Sequence, residues 1–288
     1  VYRTNTSALE TKEMKKKEKR TMTCDNPSVW KAKILLTCKI ALIAALGVIL
    51  AALSANTYAD DMVVNAKNSL EWNRKEAFYH AIGNAEAIQG KQKIRAESLK
   101  AFYDPETIER TITRIVADGN ASFADENHNG SGQKLDYDAT SATYLLMGPG
   151  AVISGPDGSG AAEKSIIFKR AAQIVELVKD AEIKLKDGRH LSGQEIIIYL
   201  DENNNILRIS AAGNVTITQA DGSKATANKA DYNRAADSAL LTGNVIVKDR
   251  ETELAGDRAE VDFTTGISKM LSDKSGGRVS GRFTRLKE

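Results

Sequence analysis

The stretch Ala239-Leu240-Leu241-Thr242-Gly243-Asn244-Val245-Ile246-Val247 decides the fold. Val245 and Val247 are two apart, the period of a half-buried strand. Gly243-Asn244 accepts the left-handed backbone of a turn or bulge that restarts such a strand. Thirteen residues after Gly243 comes Gly256-Asp257-Arg258-Ala259-Glu260-Val261-Asp262. There Ala259, Val261 and Phe263 alternate with Glu260 and Asp262, and Thr265-Gly266 supplies a turn. The two parts read as one two-strand unit.

The unit repeats. Gly-Asn recurs at 83–84, 119–120 and 213–214, and the second part recurs at Gly132, at Ala227 and, more loosely, at Ala96, Gly160 and Gly193. The two parts keep 12 to 14 residues between them, with Gly148-Pro149-Gly150 and Asp180 standing where Gly-Asn is missing. Unit starts at 83, 119, 148, 180, 213 and 243 divide the chain into six units of about thirty residues. Ala181 to Lys186 alternates strictly and ends at Asp187-Gly188, again a strand and a turn. Ile166, Ala171, Val175 and Val178 also fit a helical stripe, against which the repeat predicts strand. Single hairpins cannot bury an apolar face, whereas stacked ones can. The expected fold is therefore all-β, a jellyroll or roll of stacked short antiparallel strands. It is open at both ends, where unpaired edges can be continued by another chain.

The N-terminal region reads as an address. Lys31, Lys33 and Lys39 precede the apolar run Ile40 to Leu53, and Thr57 and Ala59 occupy the small-residue places of a cleavage site. This order predicts an N-terminal extension and signal peptide over 1–59, cut after Ala59, and export to the periplasm. The rival reading keeps 34–53 as an uncleaved anchor, with Lys39 inside the span at a cost of roughly 2.5–3.5 kcal/mol. The 288 residues carry 40 Lys+Arg and 38 Asp+Glu, a net +2. Taking away the 10 basic and 4 acidic residues of 1–59 leaves 60–288 at −4. That balance argues against nucleic acid, which calls for a basic stripe. Cys24 and Cys38 both fall in the removed part, and His80, His128 and His190 share no ligand spacing, so no metal or cofactor is expected. Asp231, Asp257 and Asp262 recur at equivalent places in the repeat and suit turns and strand surfaces better than catalysis. The expectation is a protein that is not an enzyme.

The run Ala211-Ala212-Gly213-Asn214-Val215, then Lys229-Ala230-Asp231-Tyr232, then 239–247, 254–262 and Gly277-Arg278-Val279-Ser280-Gly281 resembles the OstA/LptA family of lipopolysaccharide export. The likeness is close over 205–283 and looser over 60–200. It implies a β-jellyroll whose greasy interior carries lipid A chains. It also implies head-to-tail contact among copies and with jellyroll domains of inner-membrane LptC-like and outer-membrane LptD-like partners. The chain is longer than a minimal member, so 60–288 is one long jellyroll or a divergent half, 60–158, joined to a better-matching half, 159–288. On the carrier reading, the inward candidates for lipid contact are Ile183, Leu185, Ile196, Ile198, Val215, Ile217, Leu240, Val245, Val247, Val261 and Phe263. Arg278 and Arg282, with Arg285, are the candidates for lipid A phosphates, since Arg pairs with phosphate bidentately. The expected function is a periplasmic lipopolysaccharide carrier that bridges inner and outer membranes. The alternatives are an anchored LptC-like component and a structural β-repeat scaffold that binds no lipid.

Overall fold

The Gly-Asn pairs lie in the middle of strands, and this placement organises the molecule. The computed structural model describes residues 61–272 and 278–283, and every helix or strand assigned among them is a strand. The expectations for 1–59, for the anchor at 34–53 and for Arg285 lie outside the described residues. Two short strands, β1 (Val63–Asn65) and β2 (Ser69–Asn73), come first. Long hairpins follow: β3 (Phe78–Gln89) with β4 (Gln92–Tyr103), then β5 (Ile112–Ala124) with β6 (Asn129–Asp138). The third hairpin is interrupted, with β7 (Thr143–Met147) and β8 (Ala151–Gly155) returning as β9 (Gly158–Ala162) and β10 (Ser165–Lys169). Next come β11 (Ile174–Leu185) with β12 (His190–Leu200), β13 (Ile206–Thr218) with β14 (Lys224–Asn233), and β15 (Ser238–Lys248) with β16 (Thr252–Asp262). Two short strands, β17 (Ile267–Leu271) and β18 (Ser280–Phe283), come last. The six hairpins are the six units of the sequence. The segment that also fitted a helical stripe, 161–180, is strand and turn.

Four long strands, β3, β5, β13 and β15, turn a corner at a Gly-Asn pair. Gly83, Gly119, Gly213 and Gly243 have φ between +78° and +88°, and the Asn after each is also left-handed. Pairing skips there, between Ile82 and Ala85, Asp118 and Ala121, Ala212 and Val215, and Thr242 and Val245. Such a bulge bends a strand sharply. Lys179-Asp180 makes the same corner in β11 without glycine or asparagine, at a cost of roughly 1–2 kcal/mol per residue. The corner also explains the fixed spacing in the sequence. The first residue past it faces the small residue of the second part: Ala85 opposite Ala96, Ala121 opposite Gly132, Ala181 opposite Gly193, Val215 opposite Ala227, Val245 opposite Gly256. In the interrupted hairpin the partner of Ala151 is Ala162. Gly160, which the spacing put in that role, faces Ile153 instead, because the break at Gly148-Pro149-Gly150 adds residues.

The corners divide the strands into two layers. One holds β2, β7, β10, β17, the first halves of β3, β5, β11, β13 and β15, and the second halves of their partners. The other holds β1, β8, β9, β18 and the remaining halves. Antiparallel pairing runs without a break from β3 to β16, including across residues 158 and 159. Inward side chains of both layers join one hydrophobic cluster. Alanines such as Ala81, Ala117, Ala181 and Ala259 are fully buried in it, so the layers approach closely. Branched aliphatics line the interior along its length, from Ile94, Leu99, Ile115 and Leu135 to Val215, Leu241 and Val245. Towards the N-terminal side Phe123, Tyr137, Tyr144 and Phe168 stack, with centroids 4.4 Å apart for Tyr137–Tyr144 and 4.5 Å for Phe123–Tyr144.

Gly213 is doubly constrained, by φ +78° and by Gln194, whose Cβ lies 2.7 Å from where a Gly213 Cβ would sit. Gly222 has φ +88° and open space. Gly213→Ala should cost roughly 3 kcal/mol and Gly222→Ala roughly 1 kcal/mol in urea unfolding. Equal losses would show that the close approach at the corner does not constrain the fold.

Candidate functional site

The inner faces of the two layers form one continuous hydrophobic cluster. Period-two alternation places most of the expected residues there. Ile183, Ile196, Ile198, Val215, Val245 and Val261 are buried in the cluster, and Leu185, Ile217, Val247 and Phe263 are half-buried against it. Leu240 is the exception. It is 40% exposed, while its neighbour Leu241 is 1% exposed. Leu240 is five residues from Val245, an odd separation, and the two-residue corner at 243–244 preserves strand parity; Leu240 therefore faces outward. Leu241 is the inward residue, a position that counting back from Val245 would have found.

Small cavities lie between the layers, and two of them share Ile183. One, of about 50 Å³, is walled by Ile153 and Ile183 from one layer and by Val175, Ile198 and Ile206 from the other. The second, of about 40 Å³, sets Ile183, Leu185 and Ile217 against Ile209, Ala230 and Phe263. Each is about the space of one or two waters, and ligand pockets run to roughly 300–1,000 Å³. The interior is filled by its own side chains, so any acyl chain has to part the layers.

The corners form one side of the molecule, and on the other side turns of the two layers meet in a seam. Charged groups close it. In the turn between β8 and β9, Asp157 accepts a hydrogen bond from the Ile206 amide at 2.7 Å and one from Arg234. Arg189, between β11 and β12, donates to Asp237 at 2.8 Å and to the Tyr232 hydroxyl at 3.1 Å. Tyr232 in turn donates to Asp237 at 2.9 Å. Further along, Arg170 lies 3.8 Å from the buried Asp125. Each ion pair joins one layer to the other. Burial disfavours the charge on Arg189, but its bonds to Asp187, Asp237 and Tyr232 prevail and raise its pKa. Arg234 is raised mainly by Asp157. Burial would push Asp125 up, yet the His128 imidazole and the amides of Asn127 and His128 hold it at about 2.

None of these seam residues was a candidate from sequence. The charged ones stand in turns, outside the repeating parts, and Arg189–Asp237 and Arg234–Asp157 pair across 48 and 77 positions, while Tyr232 stands inside the repeat in β14. Arg278 and Arg282 lie elsewhere, exposed at the C-terminal edge, with Arg282 opposite Glu253 in β16. Val63, Leu70 and Trp72 are exposed on the opposite terminal edge, as Ile267, Val279 and Phe283 are beside the arginines. No cluster of His, Cys, Asp and Glu among the described residues has the grouping that holds a metal.

Residues 63–160 and 185–267 match the family described as LptA/(LptD N-terminal domain) LPS transport protein. These stretches make up more than half of the 288 residues. The chain belongs to this family. The unmatched interval, 161–184, holds β10 and most of β11, so the LPS transport family member continues its ladder through a segment that the family pattern does not cover. Among solved structures it is similar to LptH of Pseudomonas aeruginosa, the LptA-homologous periplasmic component of that organism's lipopolysaccharide transport device. The likeness is at 15% identity with a TM-score of 0.29, over 54% of this chain and 83% of the other. No curated protein matches.

The carboxyl of Asp125 is held below its ordinary 3.8. It therefore stabilises the fold above about pH 4, and the contribution is lost as pH falls towards 2. Asp125→Asn should cost about 2 kcal/mol in urea unfolding at pH 6 and almost nothing at pH 2. Equal losses at both pH values would contradict the bonding of the ionised carboxyl to His128 and the amides of its own turn.

Proposed function

We propose that this LPS transport family member is a periplasmic carrier that moves lipopolysaccharide from the inner to the outer membrane. The observation that carries the reading is the pair of facing layers, lined on their inner faces by aliphatic side chains and open at the terminal strands. Burying one twelve-carbon acyl chain is worth roughly 9 kcal/mol at about 0.8 kcal/mol per CH₂. Each chain that enters covers apolar surface that parting the layers would otherwise expose. Movement is passive, along the interior, driven by molecules entering from behind.

The exposed edges support assembly. β1 and β2 at one end and β17 and β18 at the other present strand edges flanked by Val63, Trp72, Val279 and Phe283. Such edges pair with further strands. We propose head-to-tail contact with copies of this chain and with jellyroll domains of LptC-like and LptD-like partners. The division of 60–288 into halves at 158 and 159 is likewise proposed, as a duplication whose junction the ladder has closed.

Two measurements test these readings. A photo-cross-linking amino acid at Val245 should give lipopolysaccharide adducts, while the same residue at outward Leu240 should give few. Equal yields, or none at Val245 in folded protein, would contradict transport through the interior. Val279→Arg should weaken concentration-dependent association several-fold in light scattering, through charge placed at the edge. Unchanged oligomers would place the contact elsewhere.

A further inference from the structure

A polar cavity of about 170 Å³ opens at the seam, walled by Asp157, Lys186, Asp187, Arg189, Tyr232 and Arg234. It lies directly above the interior. It shares Leu185, Arg189 and Tyr232 with one apolar cavity, and Asp157 and Ile206 with the other. A polar chamber with two guanidinium groups, stacked on greasy space, has the layout of a site for an amphiphile.

We propose that Arg189 and Arg234 form the headgroup site for the phosphate of a lipid whose acyl chains enter between the layers, each arginine exchanging its aspartate for phosphate as the seam parts. The inference rests on the carrier reading and assigns the phosphate contact to residues other than Arg278 and Arg282.

The geometry couples opening to binding. Arg234 and Asp157 stand on opposite layers, as do Arg189 and Asp237. In the closed state both arginines are satisfied by carboxylates, and Asp157, Asp187 and Asp237 balance Arg189, Arg234 and Lys186 in charge. Parting the layers takes Asp157 from Arg234 and Asp237 from Arg189, leaving one guanidinium on each layer at the mouth of the apolar space. The fork that grips a carboxylate also grips phosphate. Asp187, on Arg189's own turn, donates nothing to the seam but accepts from Arg189 Nε at 2.7 Å and keeps that guanidinium in place. The guanidinium also lies 4.9 Å from the ring centroids of Tyr232 and Phe263, over the apolar cavity that those rings help to line. The headgroup thus replaces the ion pairs that its acyl chains force apart.

The test uses the full chain and two probes, lipid A with its phosphates and the same lipid dephosphorylated, with affinity read by fluorescence titration. Arg189→Gln and Arg234→Gln should each weaken binding of phosphorylated lipid A on the order of tenfold, with little change for the dephosphorylated form. Asp237→Asn and Asp157→Asn, which break the same pairs from the other side, should instead tighten binding of the phosphorylated lipid. Arg189→Lys keeps charge but loses the fork and should recover part of the loss. Opposite effects from the two ends of one ion pair support exchange. If the Arg and Asp variants shift both lipids alike and in the same direction, the pairs are structural and the proposal is overturned while the carrier reading stands. If wild-type protein with native β-sheet circular dichroism binds neither lipid, the carrier reading falls and the headgroup site with it.

Discussion

The left-handed backbone at the strand corners is the constraint on which the rest depends. Five strands carry two consecutive residues at positive φ in mid-strand, and pairing skips at each of these sites. Without the corner, strands of twelve or thirteen residues would form one long flat sheet with a wide exposed apolar face. With it, each strand serves two layers, and the two inner faces cover each other. Because every corner lies on the same side of the ladder, the opposite side is left as a seam of turns. One backbone device therefore determines both the interior and the line along which it can open.

The seam and the interior follow different chemistry for this reason. Interior contacts are small and aliphatic, with many alanines, and close packing leaves room for little more than water. Seam contacts are arginine–aspartate pairs and hydrogen bonds to hydroxyl and amide groups, which can be exchanged one for another. A molecule with acyl chains and an anionic headgroup addresses both at once. The aromatic stack of Phe123, Tyr137, Tyr144 and Phe168 marks a more filled region on the N-terminal side, and a cavity walled by Ile183, Ile209 and Ile217 lies among the C-terminal units.

Much of this was legible in the sequence, and the limits have physical causes. The spacing of 12 to 14 residues is the distance along the chain from a corner, round a hairpin, to the residue paired just beyond it, so counting found all six hairpins. Strand alternation found the inward set. It failed at Leu240 because parity was not carried across Gly243-Asn244, which adds two residues and leaves the faces unchanged. The partner of Ala151 was missed because Gly148-Pro149-Gly150 breaks a strand where the repeat expected a bend. The seam pairs were not legible. Arg189, Arg234, Asp157 and Asp237 sit in turns, whose sequences vary from unit to unit, and they meet only after two layers have folded onto each other.

The central claim is that the layers hinge at the corners and part at the seam when lipid enters. Amide hydrogen exchange on lipid-free and lipid-loaded protein tests it most directly. The Ile206 amide, bonded across the layers to the Asp157 carboxylate, reports on the seam. The Val215 and Val245 amides report on strands just past their corners. The account predicts that loading with lipopolysaccharide speeds exchange at Ile206 while Lys186, whose amide bonds to the Asp157 carbonyl within one layer, and Val215 and Val245 stay protected. Lipid-loaded protein with the Ile206 amide as protected as before, or with the corner amides losing protection first, would contradict it.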